Sequence, residues 1–187
     1  MMTPSQPALV SPSVDEDGLL VAAAQHAPAA FARLYDRYVT RIYRYHASRV
    51  ETVADAEDLT AQTFLSALES LPRYRHRGLF PAWLFAIARS KFVDHVRQKR
   101  PQRLEELSAG EDSDPAFDSV EYEAIQRLRM RIAALDDEDR ELLRLRDVAG
   151  LSHAEVASVL GKSEAAVKKA HSRLIERLRR EMEEPHG

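Results

Sequence analysis

The chain has 187 residues, 44% of them hydrophobic and 30% charged, with a net charge of −3 and no cysteine. That balance fits a helix-rich globular protein of one medium or two small domains, and it excludes disulfides and thiolate metal sites. No apolar run is long enough to cross a bilayer, the first residues hold no signal-peptide core, and the histidines form no i,i+4 pair, so neither membrane insertion nor a metal or other cofactor is expected.

Residues 1–18 are rich in Pro, Ser and Thr at their start and show no period, which predicts a disordered lead. From Pro28 the pattern changes. Phe31, Leu34, Tyr35, Tyr38, Ile42 and Tyr45 recur at three and four, the apolar stripe of a helix ending near Val50. Asp55-Ala-Glu-Asp58 opens the next helix, with Asp55 as the expected cap. Leu59, Thr63, Phe64, Ala67, Leu68 and Leu71 form its inner side, and Pro72 is its expected stop. Its other side presents Glu57, Asp58, Ala61, Gln62 and Leu65, a leucine beside acids that suits either a partner helix or solvent.

Residues 73–103 concentrate cations and rings. Arg73, Arg75, Arg77, Arg89, Lys91, Arg97, Lys99, Arg100 and Arg103 occur with Asp94 as the one acid, among Tyr74, Phe80, Trp83, Phe85 and Phe92. Cations neutralise phosphates and flat rings stack on unpaired bases, so the stretch points to single-stranded or opening nucleic acid. The bland alternative is a solvated basic face with its rings in the core. Gly78 permits a turn, Pro81 suits the first turn of a helix, and Pro101 is its expected end.

Residues 104–123 carry eight acids and neither Lys nor Arg, which predicts a flexible acidic linker that leaves the flanking units at no fixed separation. Beyond it Ile125, Leu128, Ile132 and Leu135 form one stripe. Asp136 starts a helix with Leu142, Leu143 and Leu145 that stops at Gly150. Ser152-His-Ala-Glu155 is a capping box, Gly161-Lys162-Ser163 a turn, and Val167, Ala170, Leu174 and Leu178 the inner side of a last helix. Two helices joined by such a turn, the second longer and basic, match a helix-turn-helix. Lys168, Lys169, Ser172, Arg173 and Arg177 lie off the apolar stripe, with the chemistry that meets base edges and phosphates.

With these units in place, the chain resembles bacterial sigma factors of the extracytoplasmic-function group of the sigma-70 family, from about Ala29 to Glu181. The resemblance is carried by Phe31-Ala-Arg-Leu-Tyr-Asp-Arg-Tyr38, Asp55-Ala-Glu-Asp-Leu-Thr-Ala-Gln-Thr-Phe-Leu65, Tyr74-Arg-His-Arg-Gly-Leu-Phe-Pro-Ala-Trp-Leu84 with Ile87-Ala-Arg-Ser90, and Gly150-Leu-Ser-His-Ala-Glu-Val156 onward. It implies an all-α fold of two small helical domains joined by the flexible acidic linker. Residues 19–103 would form the domain that docks on polymerase and melts the minus-ten element. Residues 124–184 would hold the helix-turn-helix that reads the minus-thirty-five element. It further implies that Asp58, Gln62 and Leu65 meet the beta-prime subunit of core RNA polymerase, whose beta subunit is also expected in the complex. Tyr74, Arg75, His76, Arg77, Phe80, Ser90, Asp94 and Arg97 would engage minus-ten DNA, and Lys168, Lys169, Ser172, Arg173 and Arg177 the upstream element. The implied role is cytoplasmic and non-catalytic, with promoter DNA as a partner and room for an anti-sigma factor. Ala61, Leu79, Ser90 and the order Lys168-Lys169-Ala170 depart from the family's commoner residues. The alternatives are a stand-alone helix-turn-helix regulator and a DNA-processing enzyme, the latter without any evident carboxylate or nucleophile constellation.

Overall fold

The computed structural model describes residues 14–103 and 120–183, and no strand occurs among the described residues. The first helix, α1 (Val14–His26), begins inside the stretch expected to be an irregular lead. Its apolar residues run together from Leu19 to Ala24 and hide the helical period, yet Val21 and Ala24 are buried. Asp17 fixes it in place: this buried carboxylate accepts the Tyr38 hydroxyl of α2 (Phe31–Ala47) and lies 3.4 Å from the Arg37 guanidinium. Residues 1–13 lie outside the described residues.

Phe31, Leu34, Tyr38, Ile42 and Tyr45 are the buried side of α2, as their spacing predicts, whereas Tyr35, expected in the same stripe, lies at its edge and is exposed. The next helix, α3 (Val53–Ser70), starts before the expected cap. Thr52 has the extended backbone that a cap needs, and its hydroxyl oxygen accepts the Asp55 N–H at 3.1 Å. Asp55 therefore lies in the first turn, where its carboxylate receives Lys99 at 2.8 and 2.9 Å. A 3₁₀ turn, Leu71–Arg73, follows, and α4 (Phe80–Arg103) then continues beyond Pro101, the expected stop. A proline in the last turn forfeits only one backbone bond, so the helix absorbs it.

The second unit comprises α5 (Val120–Ala133), α6 (Asp137–Leu143) with a π-helical extension Arg144–Val148, α7 (His153–Leu160) and α8 (Glu164–Glu183). Helix α5 takes in the last four residues of the expected linker, Val120 to Glu123; residues 104–119 lie outside the described residues. The caps are those the sequence predicts. Asp136 accepts the Asp139 N–H at 2.8 Å, and Ser152 and Glu155 form a reciprocal capping box. Gly161 adopts φ 66° between α7 and α8, and Ser163 accepts the Ala166 N–H at 3.2 Å.

The two units are in contact rather than apart. Helix α7 lies on α4, the π-helical turn lies on α2, and the buried side chains of both form one continuous cluster.

Inside the first unit His46 is fully buried, with Nε2 3.0 Å from the Thr63 hydroxyl. That hydroxyl donates to the Leu59 carbonyl at 2.7 Å, so its oxygen accepts the imidazole N–H. Burial, reinforced by Arg49 and His95, lowers the His46 pKa to about 4. The unfolded chain takes up this proton near pH 6.5 and the native state resists it, so the contribution is complete above pH 6.5 and shrinks as pH falls towards 4. Between pH 7 and 4.5 the wild type should lose about 2 kcal/mol more stability than His46→Gln in urea titrations. Parallel pH profiles would contradict a neutral buried imidazole.

Candidate nucleic-acid interface

The outer side of α3 presents Glu57, Asp58, Ala61, Gln62 and Leu65, all exposed. Gln62 donates to the Asp58 carboxylate at 2.7 Å one turn away, which holds both polar groups beside Leu65. Leu65 is 58% exposed with Leu68 and Val53 also open to solvent, an apolar surface rimmed by acids.

The basic loop is built on an aromatic floor. Phe80 is 1% exposed; its ring lies 5.5 Å from Tyr38, 5.8 Å from Tyr74 and 5.5 Å from Trp83. Tyr74 and Trp83 are 4.4 Å apart at 32°, a near-stacked pair. Helix α1 braces the loop from behind: Gln25 donates to the Leu71 and Tyr74 carbonyls at 3.0 and 2.6 Å, and His76 lies against Gly18. With its rings committed inward, the loop leaves Arg75 and Arg77 exposed around a cavity of about 240 Å³. Tyr74 and Trp83 also line that cavity, so it offers π faces and guanidinium groups together.

The structure thus divides the residues expected to meet DNA here. Arg75 and Arg77 form the rim, Tyr74 and His76 are half-buried, and Phe80 is beneath the surface rather than on it. Ser90, Asp94 and Arg97 are exposed along α4 beyond the loop. Trp83 and the brace Gln25 are absent from the sequence-based set. Trp83 carries a usable signal, being one helical turn from Phe80; Gln25 carries none, because its helix is not legible as a stripe.

On α8, Lys168, Lys169, Ser172 and Arg173 are exposed together, immediately after the capped turn. Arg177 is held differently, its guanidinium 2.6 Å from Asp139 of α6. His171 is tethered to Asp147 at 3.0 Å, and its other ring nitrogen lies 3.5 Å from His153 of α7. Burial, with Arg146 nearby, holds the His153 pKa below its ordinary value. These tethers fix the roll of α8, so its cationic side points away from the core.

Among the described residues the fold is all-helical, and α7 and α8, joined by the turn at Gly161, form a helix-turn-helix. Residues 34–102 match the family Sigma-70 region 2, and residues 125–178 match Sigma-70, region 4. The chain is 38% identical over 182 residues to the ECF RNA polymerase sigma factor BldN of Streptomyces coelicolor, covering 90% of this chain and 68% of that protein. It is 34% identical over 153 residues to the ECF RNA polymerase sigma factor SigD of Mycobacterium tuberculosis, covering 75% and 71%. Among solved structures, CnrH in complex with the cytosolic domain of CnrY superposes with a TM-score of 0.64 at 28% identity, over 86% of this chain and 92% of that one. RpoE of Bartonella quintana, solved with the anti-sigma factor NepR, shares the fold at a TM-score of 0.62 and 21% identity, over 83% and 98%. This chain belongs to the sigma-70 family, among the extracytoplasmic-function sigma factors of RNA polymerase. No described helix is long and apolar enough to cross a membrane.

The floor and the rim of the loop should separate in stability. Phe80→Ala empties a fully packed position and should cost about 3–5 kcal/mol in urea denaturation, whereas Arg75→Ala and Arg77→Ala should stay within about 0.5 kcal/mol of wild type. Equal effects from Phe80 and the arginines would contradict this division.

Proposed function

We propose that this sigma factor docks on core RNA polymerase through α3, melts the minus-ten element with the loop of residues 74–80 and the outer face of α4, and reads the minus-thirty-five element with α8. In this reading Asp58, Gln62 and Leu65 meet the clamp helices of the beta-prime subunit, supported by their joint exposure and the Gln62–Asp58 bond. Arg75 and Arg77 hold phosphates at the rim of the cavity. Tyr74 and Trp83 receive an unpaired base, His76 stands at its side, and Phe80 supports them from below. Ser90, Asp94 and Arg97 follow the neighbouring strand. Lys168, Lys169, Ser172 and Arg173 enter the major groove, and Arg177 joins them on release from Asp139 or acts through that tether. The protein acts in the cytoplasm as an initiation factor and not as a catalyst. The domain limits 19–103 and 124–184 serve these two tasks, with the acidic segment between them threading towards the polymerase channels. An anti-sigma factor is a further partner in this reading.

The observation that carries the proposal is the exposed set Lys168, Lys169, Ser172 and Arg173 on a helix whose start is fixed by Gly161 and Ser163. Side chains near the N-terminal half of such a helix are the ones that reach base edges. Lys169→Ala and Arg173→Ala should each lower run-off transcription with core polymerase by about 5–150-fold, the equivalent of about 1–3 kcal/mol per lost base contact. Wild-type transcription from both, with normal folding, would remove α8 as the reader.

Reversing charge at the other surface separates docking from folding. Asp58→Lys should leave stability within about 0.5 kcal/mol of wild type while reducing co-purification with core polymerase. Undiminished co-purification would refute the α3 assignment.

A further inference from the structure

Helix α1 lies ahead of residues 34–102, the segment that matches Sigma-70 region 2, and the sequence motifs give it no task. Residues 74–79 form no helix, so their backbone carbonyls need partners from elsewhere. Gln25 of α1 supplies them at the start of the loop. Its side-chain amide donates one hydrogen to the Leu71 carbonyl at 3.0 Å and the other to the Tyr74 carbonyl at 2.6 Å. The Leu71 carbonyl also receives the Tyr74 N–H at 3.0 Å, so the chain enters the loop at a point held from two sides. Earlier in α1, Gly18 sets bare helix backbone against the His76 ring, and a Cβ there would stand 3.2 Å from two of the ring atoms. Glycine weakens a helix interior, and this close approach accounts for its place. The Nδ1 atom of His76 lies 3.5 Å from the Tyr74 hydroxyl, and the Tyr74 ring in turn lies on Trp83. Asp17, next to Gly18, ties α1 to α2 through the Tyr38 hydroxyl and the nearby Arg37 guanidinium, so α1 cannot shift without breaking a buried contact.

We propose that Gln25, supported by Gly18, is a positioning residue for strand opening, acting through Tyr74 and His76 to hold the loop in the shape that receives an unpaired base. The inference rests on the reading of residues 74–80 as the strand-opening loop. Arg75 and Arg77 carry like charges, so the loop gains no order from its own side chains. Unbraced, it would sample many shapes, and each encounter with DNA would have to order it first. Two hydrogen bonds at its start and a seat for the imidazole further on remove that cost in advance. Gly18 and Gln25 are about two helical turns apart, so both meet the loop from one side of α1. Neither touches DNA in this reading: a change at either alters the loop's shape and leaves its chemistry as it is.

The test uses full-length protein in holoenzyme with core polymerase, on a linear duplex promoter that the wild type opens. Gln25→Met keeps the length and helix preference of the side chain and loses both donors. It should slow the appearance of permanganate-reactive thymines about tenfold, the factor that two ordinary hydrogen bonds represent. Recruitment to the duplex, measured by electrophoretic shift at a temperature too low for opening, should be unaltered. Run-off transcription should return to the wild-type level on the same promoter with its minus-ten segment made non-complementary, because the unpairing cost is then absent. A variant that merely folds less well would lose activity on both templates alike. Gly18→Ala supplies the second arm, since alanine favours the helix while its Cβ presses on His76. Its melting temperature should match or exceed that of the wild type, yet opening should slow about threefold, as for a side chain pushed off its preferred rotamer. In a His76→Ala background the same change should add nothing, the mark of coupling between the two positions. A wild-type opening rate in both Gln25→Met and Gly18→Ala, or a loss equal on the two templates, overturns the proposal. The double variant Arg75→Ala with Arg77→Ala keeps the two levels apart: if it opens the duplex as the wild type does, the reading of the loop itself fails, and the role of α1 with it.

Discussion

The structure depends first on where the rings of the basic loop go. Phe80 is buried between Tyr38, Tyr74 and Trp83, and so ties α2, the loop and the start of α4 into one packed point. Burying that much aromatic surface is the large favourable term at this position. Its consequence is electrostatic. Arginine cannot follow the rings into the core without a partner, so Arg75 and Arg77 remain in water at the edge of an aromatic cavity. A sequence that alternates rings and cations thus becomes a surface with cations outside and π faces within reach. Helix α1 makes the arrangement rigid by satisfying the Leu71 and Tyr74 carbonyls through Gln25.

The second unit achieves the same segregation by a different route. Its helices are short and separately capped, and each cap consumes an acid or a hydroxyl: Asp136, Ser152 with Glu155, and Ser163. Asp139 and Asp147 are spent on Arg177 and His171. With those acids occupied on α6 and its extension, Lys168, Lys169, Ser172 and Arg173 stand exposed on α8 with Glu176 as the acid among them. A net charge of −3 for the whole chain therefore conceals two local surfaces of the opposite sign.

Much of this was legible in the sequence because it is local. The stripe Phe31, Leu34, Tyr38, Ile42, Tyr45 and the box Ser152–Glu155 follow from helical period and backbone hydrogen bonding, which act within a few residues. The match between α3, the basic loop and the helix-turn-helix was likewise visible as an ordered set of motifs. What was not legible is tertiary. Helix α1 carries a contiguous apolar run instead of a stripe, and only Tyr38 and Gln25 reveal which side is inside. Thr52 stands as the cap in place of Asp55, and Asp55 takes Lys99, forty-four residues away, as a partner. Phe80 could be read as a base contact or as core with equal right until Tyr38 was placed beside it. Glu141 looks like any surface acid until Tyr45 and Arg49, ninety-odd residues earlier, are brought against it. The contact between the two units replaces the expectation of an unfixed separation for the same reason, since composition of a linker says nothing about the surfaces it joins.

In the proposed mechanism, two DNA surfaces on separate units act together only when polymerase sets the distance between them. Transcription from a promoter whose two elements are moved apart by about half a helical turn, roughly 5 base pairs, tests it most directly, because the upstream element then faces the opposite side of the duplex. The measurement is run-off transcription by the holoenzyme at fixed salt, comparing native and lengthened spacers. Near-complete loss is expected with the lengthened spacer. Unchanged transcription would mean that one surface suffices and would contradict it.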